Sequence, residues 1–126
     1  MKTMRKTVKL FKALADENRV RILKMLETRG LYVCEITEVL HLALSTVSKH
    51  LSILRDAGFI VDEKDSRWVR YRLNEESDDQ CVQELLHMLA NRLPGQPGDQ
   101  RELAHVLACR TERRCLNENL MAAVLR

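Results

Sequence analysis

At Gly58 the spacing of apolar residues changes, and that change limits what the chain can fold into. Before it, apolar side chains recur every three to four residues in short runs. After it, they alternate through Phe59-Ile60-Val61-Asp62-Glu63 and Trp68-Val69-Arg70-Tyr71-Arg72-Leu73. The first period is that of amphipathic helices, and the second that of strands with one covered face. Lys64-Asp65-Ser66-Arg67 separates the two alternating runs and reads as the turn of a hairpin. In the second run Val69, Tyr71 and Leu73 share the inward face, and Trp68, Arg70 and Arg72 the outward one.

Four helices are expected before the hairpin. Residues 3–14 carry Val8, Leu10, Phe11 and Leu14 among lysines. Asp16 is placed to cap a helix running to Glu27, with Val20, Leu23 and Leu26 inward, and Gly30 stops it. Residues 33–41 form a short helix around Ile36, Val39 and Leu40. His41–Leu44 then leads to Ser45–Gly58, where Val47, Leu51 and Leu54 form the stripe, Ser45 is the expected N-cap and Gly58 the stop. Two short helices joined by so tight a turn form a helix-turn-helix, and the basic hairpin behind it forms a wing. The polar side of the second helix is small, hydroxylated and basic, which suits close approach to a DNA major groove.

Beyond the hairpin, residues 78–93 place Val82, Leu85, Leu86 and Leu89 at helical spacing, a stripe long enough to be a dimer surface. Pro94-Gly95-Gln96-Pro97-Gly98 reads as a linker. Asp99 is positioned to cap a further helix with Leu103, Val106 and Leu107. The domain expectation is therefore 1–93 for DNA binding and dimerisation, 94–98 for the linker, and 99–126 for an extension carrying Cys109 and Cys115. The fold class is mostly α with a small β-hairpin wing.

Charge divides the chain in the same way. Residues 1–73 carry a net charge of +6 and residues 74–126 a net charge of −3. A basic front half fits nucleic acid, and an acidic back half fits a different task. No run of 18 uncharged apolar residues occurs, and the basic N-terminus lacks an apolar signal core. A cytoplasmic protein with no membrane partner is expected, and its four cysteines are read as thiols or ligands rather than structural disulfides. No Gly-rich phosphate loop, carboxylate pair or supported nucleophile–base pair points to an enzyme.

Four separated segments carry a family resemblance. They are Leu10–Leu23, Leu31–Ile36, Ser45–Gly58 and Trp68–Leu73. In this order they resemble the arsenical-resistance repressor family (ArsR/SmtB). The resemblance implies a homodimeric winged-helix repressor that sits on operator DNA and leaves when an inducer binds. It implies dimerisation through the first helix and the helix after the wing. Ser45, Thr46, Ser48, Lys49 and His50 in the recognition helix, with Arg67 at the wing tip, are the expected DNA contacts. Arg70 and Arg72 have an alternative use, pairing with Asp62 or Glu63 across the hairpin.

The resemblance also frames the inducer site. Many arsenic- or cadmium-responsive members carry Cys-Val-Cys before the recognition helix, where this chain has Tyr32-Val33-Cys34. Asp79, Cys81 and His87 do not reproduce the family's zinc site. Other arsenic-responsive members hold thiols in a C-terminal extension, and Cys109-x5-Cys115 looks like that arrangement.

Thiolates suit soft metals and metalloids, so As(III) or Sb(III) is the expected inducer, with no organic cofactor. On one continuous helix Cys109 and Cys115 would lie about 9 Å apart along the axis, so the segment must loop for both to hold one atom. Arg110, Arg113 and Arg114 favour the thiolate form. Cys34 is a further candidate ligand, from the same chain or the partner, and His105 lies one helical turn before Cys109. Cys81 reads as core. Two alternatives stay open: a Cd(II) or Pb(II) sensor, and a redox or persulfide switch using Cys109 with Cys34 or Cys81.

Overall fold

The computed structural model describes residues 3–108. Its helices are α1 (Met4–Leu14), α2 (Glu17–Leu26), α3 (Val33–Leu40), α4 (Leu44–Asp56), α5 (Gln80–Arg92) and α6 (Pro97–Ala108). Its strands are β1 (Leu31–Tyr32), β2 (Ile60–Asp65) and β3 (Trp68–Leu73), in the antiparallel order β1-β3-β2. This is a winged helix-turn-helix.

Local chemistry sets the element ends. The Thr3 hydroxyl accepts from the Lys6 backbone N–H, the Asp16 carboxylate from that of Arg19, and the Asp79 carboxylate from that of Cys81. Each satisfies a donor that a helix start would leave orphaned. The turn between α3 and α4 closes without glycine, because His41 itself takes the left-handed conformation at φ 56°. At the far end of α4, Gly58 adopts φ 91°, and the Phe59 N–H reaches back to the Leu54 carbonyl at 3.0 Å. That reversal drops Phe59 into the core, fully buried.

Three expectations need correcting. The helix cap before α4 is Ala43, with no side-chain hydrogen bond, rather than Ser45. Leu44 packs against the core and so enters the helix, which moves Ser45 and Thr46 into its exposed first turn. The hairpin is also longer than expected. Pairing runs from Ile60 opposite Leu73 to Asp65 opposite Trp68, leaving only Ser66 and Arg67 in the turn, with Ser66 at φ 61°. And α6 starts at Pro97, inside the expected linker. Proline lacks an N–H and has a helical φ, so it suits the first helical position, where no donor is needed.

Asp99 therefore caps nothing. It is buried, and its carboxylate takes two bonds from Arg21 of α2, at 2.9 and 2.8 Å. Behind it, Leu103 and Val106 are buried where α6 packs on α2 and α3. One core results, in which Ile22, Leu23, Leu31, Ile36, Leu51, Leu54 and Phe59 are almost wholly buried. Strand β1, which the sequence reading lacked, pairs Leu31 with Tyr71 and Tyr32 with Arg70 and ties the start of α3 to the wing.

Candidate nucleic-acid interface

The inward stripe of α4 is Val47, Leu51 and Leu54, all fully buried. A helix fixed on that side must present the other. Ser45, Thr46 and Lys49 are exposed, and Ser48 is half-buried at the margin. His50 is also half-buried, and its Nδ1 lies 3.2 Å from Nη1 of Arg19 on α2. Of the expected DNA contacts on α4, three are thus fully outward, one is marginal, and His50 is engaged with its own protein.

The wing adds Arg67, exposed at the turn, with its guanidinium 5.5 Å from the centre of the Trp68 ring. Such stacking restrains a long side chain while leaving its donors available. Lys64, placed by sequence in the turn, lies on β2 opposite Val69 and is exposed. The other wing cations are paired. Arg70 and Arg72 reach Glu63 at 3.5 and 3.2 Å, while Arg55 at the end of α4 reaches Asp62 of the wing at 3.3 Å. These pairs are partly exposed, so each contributes at most about 1 kcal/mol. Their main effect is to neutralise the middle of the wing and leave net positive charge at its tip.

The cysteines fall in three places. Cys34 lies in the first turn of α3, buried and disulfide-bonded, which departs from the expectation of thiols or ligands. Cys81 on α5 is a free thiol, half-buried and packed against the core. Cys109 and Cys115 lie outside the described residues. Helix α6, described through Ala108, packs on α3. Among the described residues no cluster of three or more His, Cys, Asp or Glu side chains is arranged to hold a metal.

An exposed hydroxyl-and-lysine helix beside a cationic wing tip is a geometry shared by many regulators, and comparison narrows it. Residues 16–61 match the model of the bacterial regulatory protein arsR family. The transcriptional activator HlyU of Vibrio cholerae is 39% identical over 88 residues, covering 70% of this chain and 81% of that protein. The chain belongs to the arsR family of bacterial regulatory proteins. The solved structure of reduced HlyU from V. cholerae N16961 superposes with a TM-score of 0.59 at 34% identity, covering 71% of this chain and 90% of that one. The arsenic resistance transcriptional regulator ArsR1 of Pseudomonas putida is 43% identical over 68 residues. That match covers 53% of each, so this arsR-family chain spans about half the length of that relative.

Besides strand β1, two side-chain contacts escaped sequence reasoning. The Arg19–His50 contact joins residues 31 apart through a guanidinium that periodicity classes only as a polar helix position. The Arg21–Asp99 pair joins residues 78 apart. Neither leaves a local pattern, although an arginine facing the core side of α2 was a sign that a carboxylate or carbonyl must meet it.

Proposed function

We propose that this arsR-family chain is a homodimeric DNA-binding transcriptional repressor, not an enzyme, that works in the cytoplasm. We further propose that it leaves its operator when a thiophilic metalloid, As(III) or Sb(III), is bound by cysteine thiolates. The observation that carries the DNA-binding part is the outward face of α4. Ser45, Thr46 and Lys49 stand clear of the core beside Arg67 of the wing, with Ser48 at the margin. Hydroxyls and lysine reach phosphates and base edges, and small side chains let the helix approach the groove.

Dimerisation through α1 and α5 is supported by apolar side chains left in the open. Met4, Val8 and Phe11 are 83%, 42% and 56% exposed at positions that share one face of α1, and Met88 on α5 is 43% exposed. A second copy of the chain would cover them and set two recognition helices about 34–36 Å apart, one turn of DNA.

The proposed inducer ligands are Cys109 and Cys115, with Cys34 as a third. Supporting this are the arsenic-resistance role named for the P. putida relative and the packing of α6 on α3. Because α3 leads directly into α4 through His41–Ala43, a change at Cys34 has a short route to the recognition helix. Coupling is reciprocal, so operator DNA must weaken inducer affinity by the factor by which inducer weakens DNA affinity.

A second reading, a thiol-redox or persulfide switch through Cys34 and Cys109, is favoured by the disulfide-bonded state of Cys34. Fluorescence anisotropy on a labelled fragment of the native promoter separates the two. Arsenite, antimonite, cadmium, lead and a persulfide donor are titrated against wild type, Cys109→Ser/Cys115→Ser and Cys34→Ser. Release by arsenite or antimonite in wild type and not in the double variant supports the metalloid site. Release only by the persulfide donor, lost in Cys34→Ser, supports the switch. No binding of wild type to any promoter fragment refutes the regulator reading.

A further inference from the structure

Arg19 makes more hydrogen bonds than any surface role requires. Its Nε donates to the Ala13 carbonyl at 2.7 Å and its Nη2 to the Lys12 carbonyl at 3.1 Å. Its Nη1 lies 3.2 Å from His50 Nδ1 and 3.7 Å from the Asp16 carboxylate. The side chain is only 13% exposed. Lys12 and Ala13 stand in the last turn of α1, whose carbonyls carry the negative end of the helix dipole, and the Lys12 carbonyl also accepts from the capping Ala15 N–H at 3.2 Å. One planar guanidinium therefore closes the end of α1, rests on the capping residue of α2 and meets the recognition helix α4.

The donor inventory fixes the direction of the third contact. Guanidinium has only N–H donors, so at 3.2 Å the His50 Nδ1 must accept, with the ring proton on Nε2. His50 is half-buried while its neighbour Lys49 is exposed. Its ring is spent on holding α4 rather than on reaching out from it.

We propose that Arg19 is a positioning residue for DNA binding, and that His50 is its acceptor on the recognition helix rather than a DNA contact. Helix α1 carries the exposed Met4, Val8 and Phe11 assigned above to the dimer contact. Arg19 thus links the helix that fixes one protomer against the other to the helix that enters the groove. The separation of the two recognition helices depends on this link in each protomer. The inference rests on the dimeric DNA-binding reading and adds the residue that sets its geometry.

The test compares Arg19→Lys, His50→Gln, His50→Ala and the Arg19→Lys/His50→Ala double variant in the full chain. Promoter affinity and its salt dependence are measured by anisotropy, dimer affinity by sedimentation, and folding by thermal melting. Lysine keeps the charge but cannot span three acceptors. Arg19→Lys and His50→Ala should each weaken promoter binding about tenfold with little change in the salt slope, because no phosphate contact is lost. His50→Gln, which retains an acceptor oxygen, should bind close to wild type. The double variant should be no weaker than the worse single one, since both break one link.

Additive losses, or a salt slope reduced by about one in His50→Ala, would make His50 an independent DNA contact and overturn the proposal. Should Arg19→Lys fail to fold, the His50→Gln and His50→Ala pair decides alone, and equal losses in both count against it. Failure of wild type to bind the promoter instead removes the DNA-binding reading itself, and the proposal with it.

Discussion

Arg21 and Asp99 form a two-point ion pair, 2.9 and 2.8 Å, between α2 and the first turn of α6. Arg21 also donates to the Asn18 side chain at 2.9 Å. The Asp99 hydrogen bond pushes the Arg21 guanidinium above its ordinary pKa, with burial working the other way. Both side chains are largely covered, at 25% and 11% exposure. The pair borders a cavity of about 350 Å³ lined by Met25, Leu103 and Leu107, and the clamp acts together with the buried Leu103 and Val106 in seating α6 on α2 and α3.

Breaking that clamp from one side should be costly. Asp99→Ala leaves a guanidinium in a covered site without its carboxylate, and a loss of about 3 kcal/mol is expected in urea denaturation. Replacing both, as Arg21→Met with Asp99→Leu, removes the stranded charge and should recover most of that loss. A single variant with wild-type stability would show that α6 is held by apolar contact alone.

Gly58 gives a cleaner backbone experiment. At φ 91° an L side chain is strained, yet a Cβ there would meet only a Val82 methyl at an ordinary 3.8 Å. Gly58→Ala should therefore cost about 1 kcal/mol from conformation, without a clash. A change several times larger would mean that the Leu54–Phe59 reversal had been lost as well.

Acid should weaken the junction of α1 and α2. Burial raises the Asp16 pKa, but the Arg19 backbone N–H and guanidinium, with smaller contributions from the His50 charge and the Asn18 backbone N–H, outweigh it, and the carboxyl is held below its usual value. A depressed folded pKa means that the charged form stabilises the fold above the unfolded pKa. That contribution is lost as pH falls through the folded value. Asp16→Asn keeps a competent cap but no charge. Wild type should exceed it in stability near neutral pH, and the gap should close as pH falls below the ordinary aspartate range. A gap that stays constant across the titration would rule out the charge as its source.

The exposed face of α1 makes an equally direct prediction. Phe11→Glu puts a charge into the apolar surface assigned to the partner chain. Sedimentation should show a shift from dimer to monomer, with weaker promoter binding and an unchanged melting temperature at low concentration. A dimer that survives Phe11→Glu would move the interface away from α1.

The legible parts of this chain were those written in local chemistry. Asp16 and Gly58 announced helix ends because a capping carboxylate and a left-handed turn are properties of single residues. Val47, Leu51 and Leu54 announced a buried stripe because spacing alone fixes a helix face. Ser45 misled because the apolar Leu44, one residue earlier, found a place in the core and pulled the helix start with it. Strand β1 is two residues long, too short for any period, and exists because β3 offers it an edge. Asp99 and His50 were read as a cap and a DNA contact. Their partners, Arg21 and Arg19, lie 78 and 31 residues away, where no local pattern reaches.

Salt dependence provides the sharpest separation among the DNA-facing residues. Lys49 on α4 and Arg67 at the wing tip are exposed cations, and each is expected to neutralise a phosphate and release a counterion. Replacing either by alanine should weaken binding to all sequences alike and lower the salt slope by about one per protomer. Thr46→Ala should behave differently. It removes a hydroxyl without charge, so any loss should be confined to the cognate site and leave the salt slope intact. Arg70→Ala serves as the contrast, since that guanidinium already faces Glu63. It should change promoter affinity little, and a slope change as large as that of Arg67→Ala would show that the Glu63 pair opens on DNA.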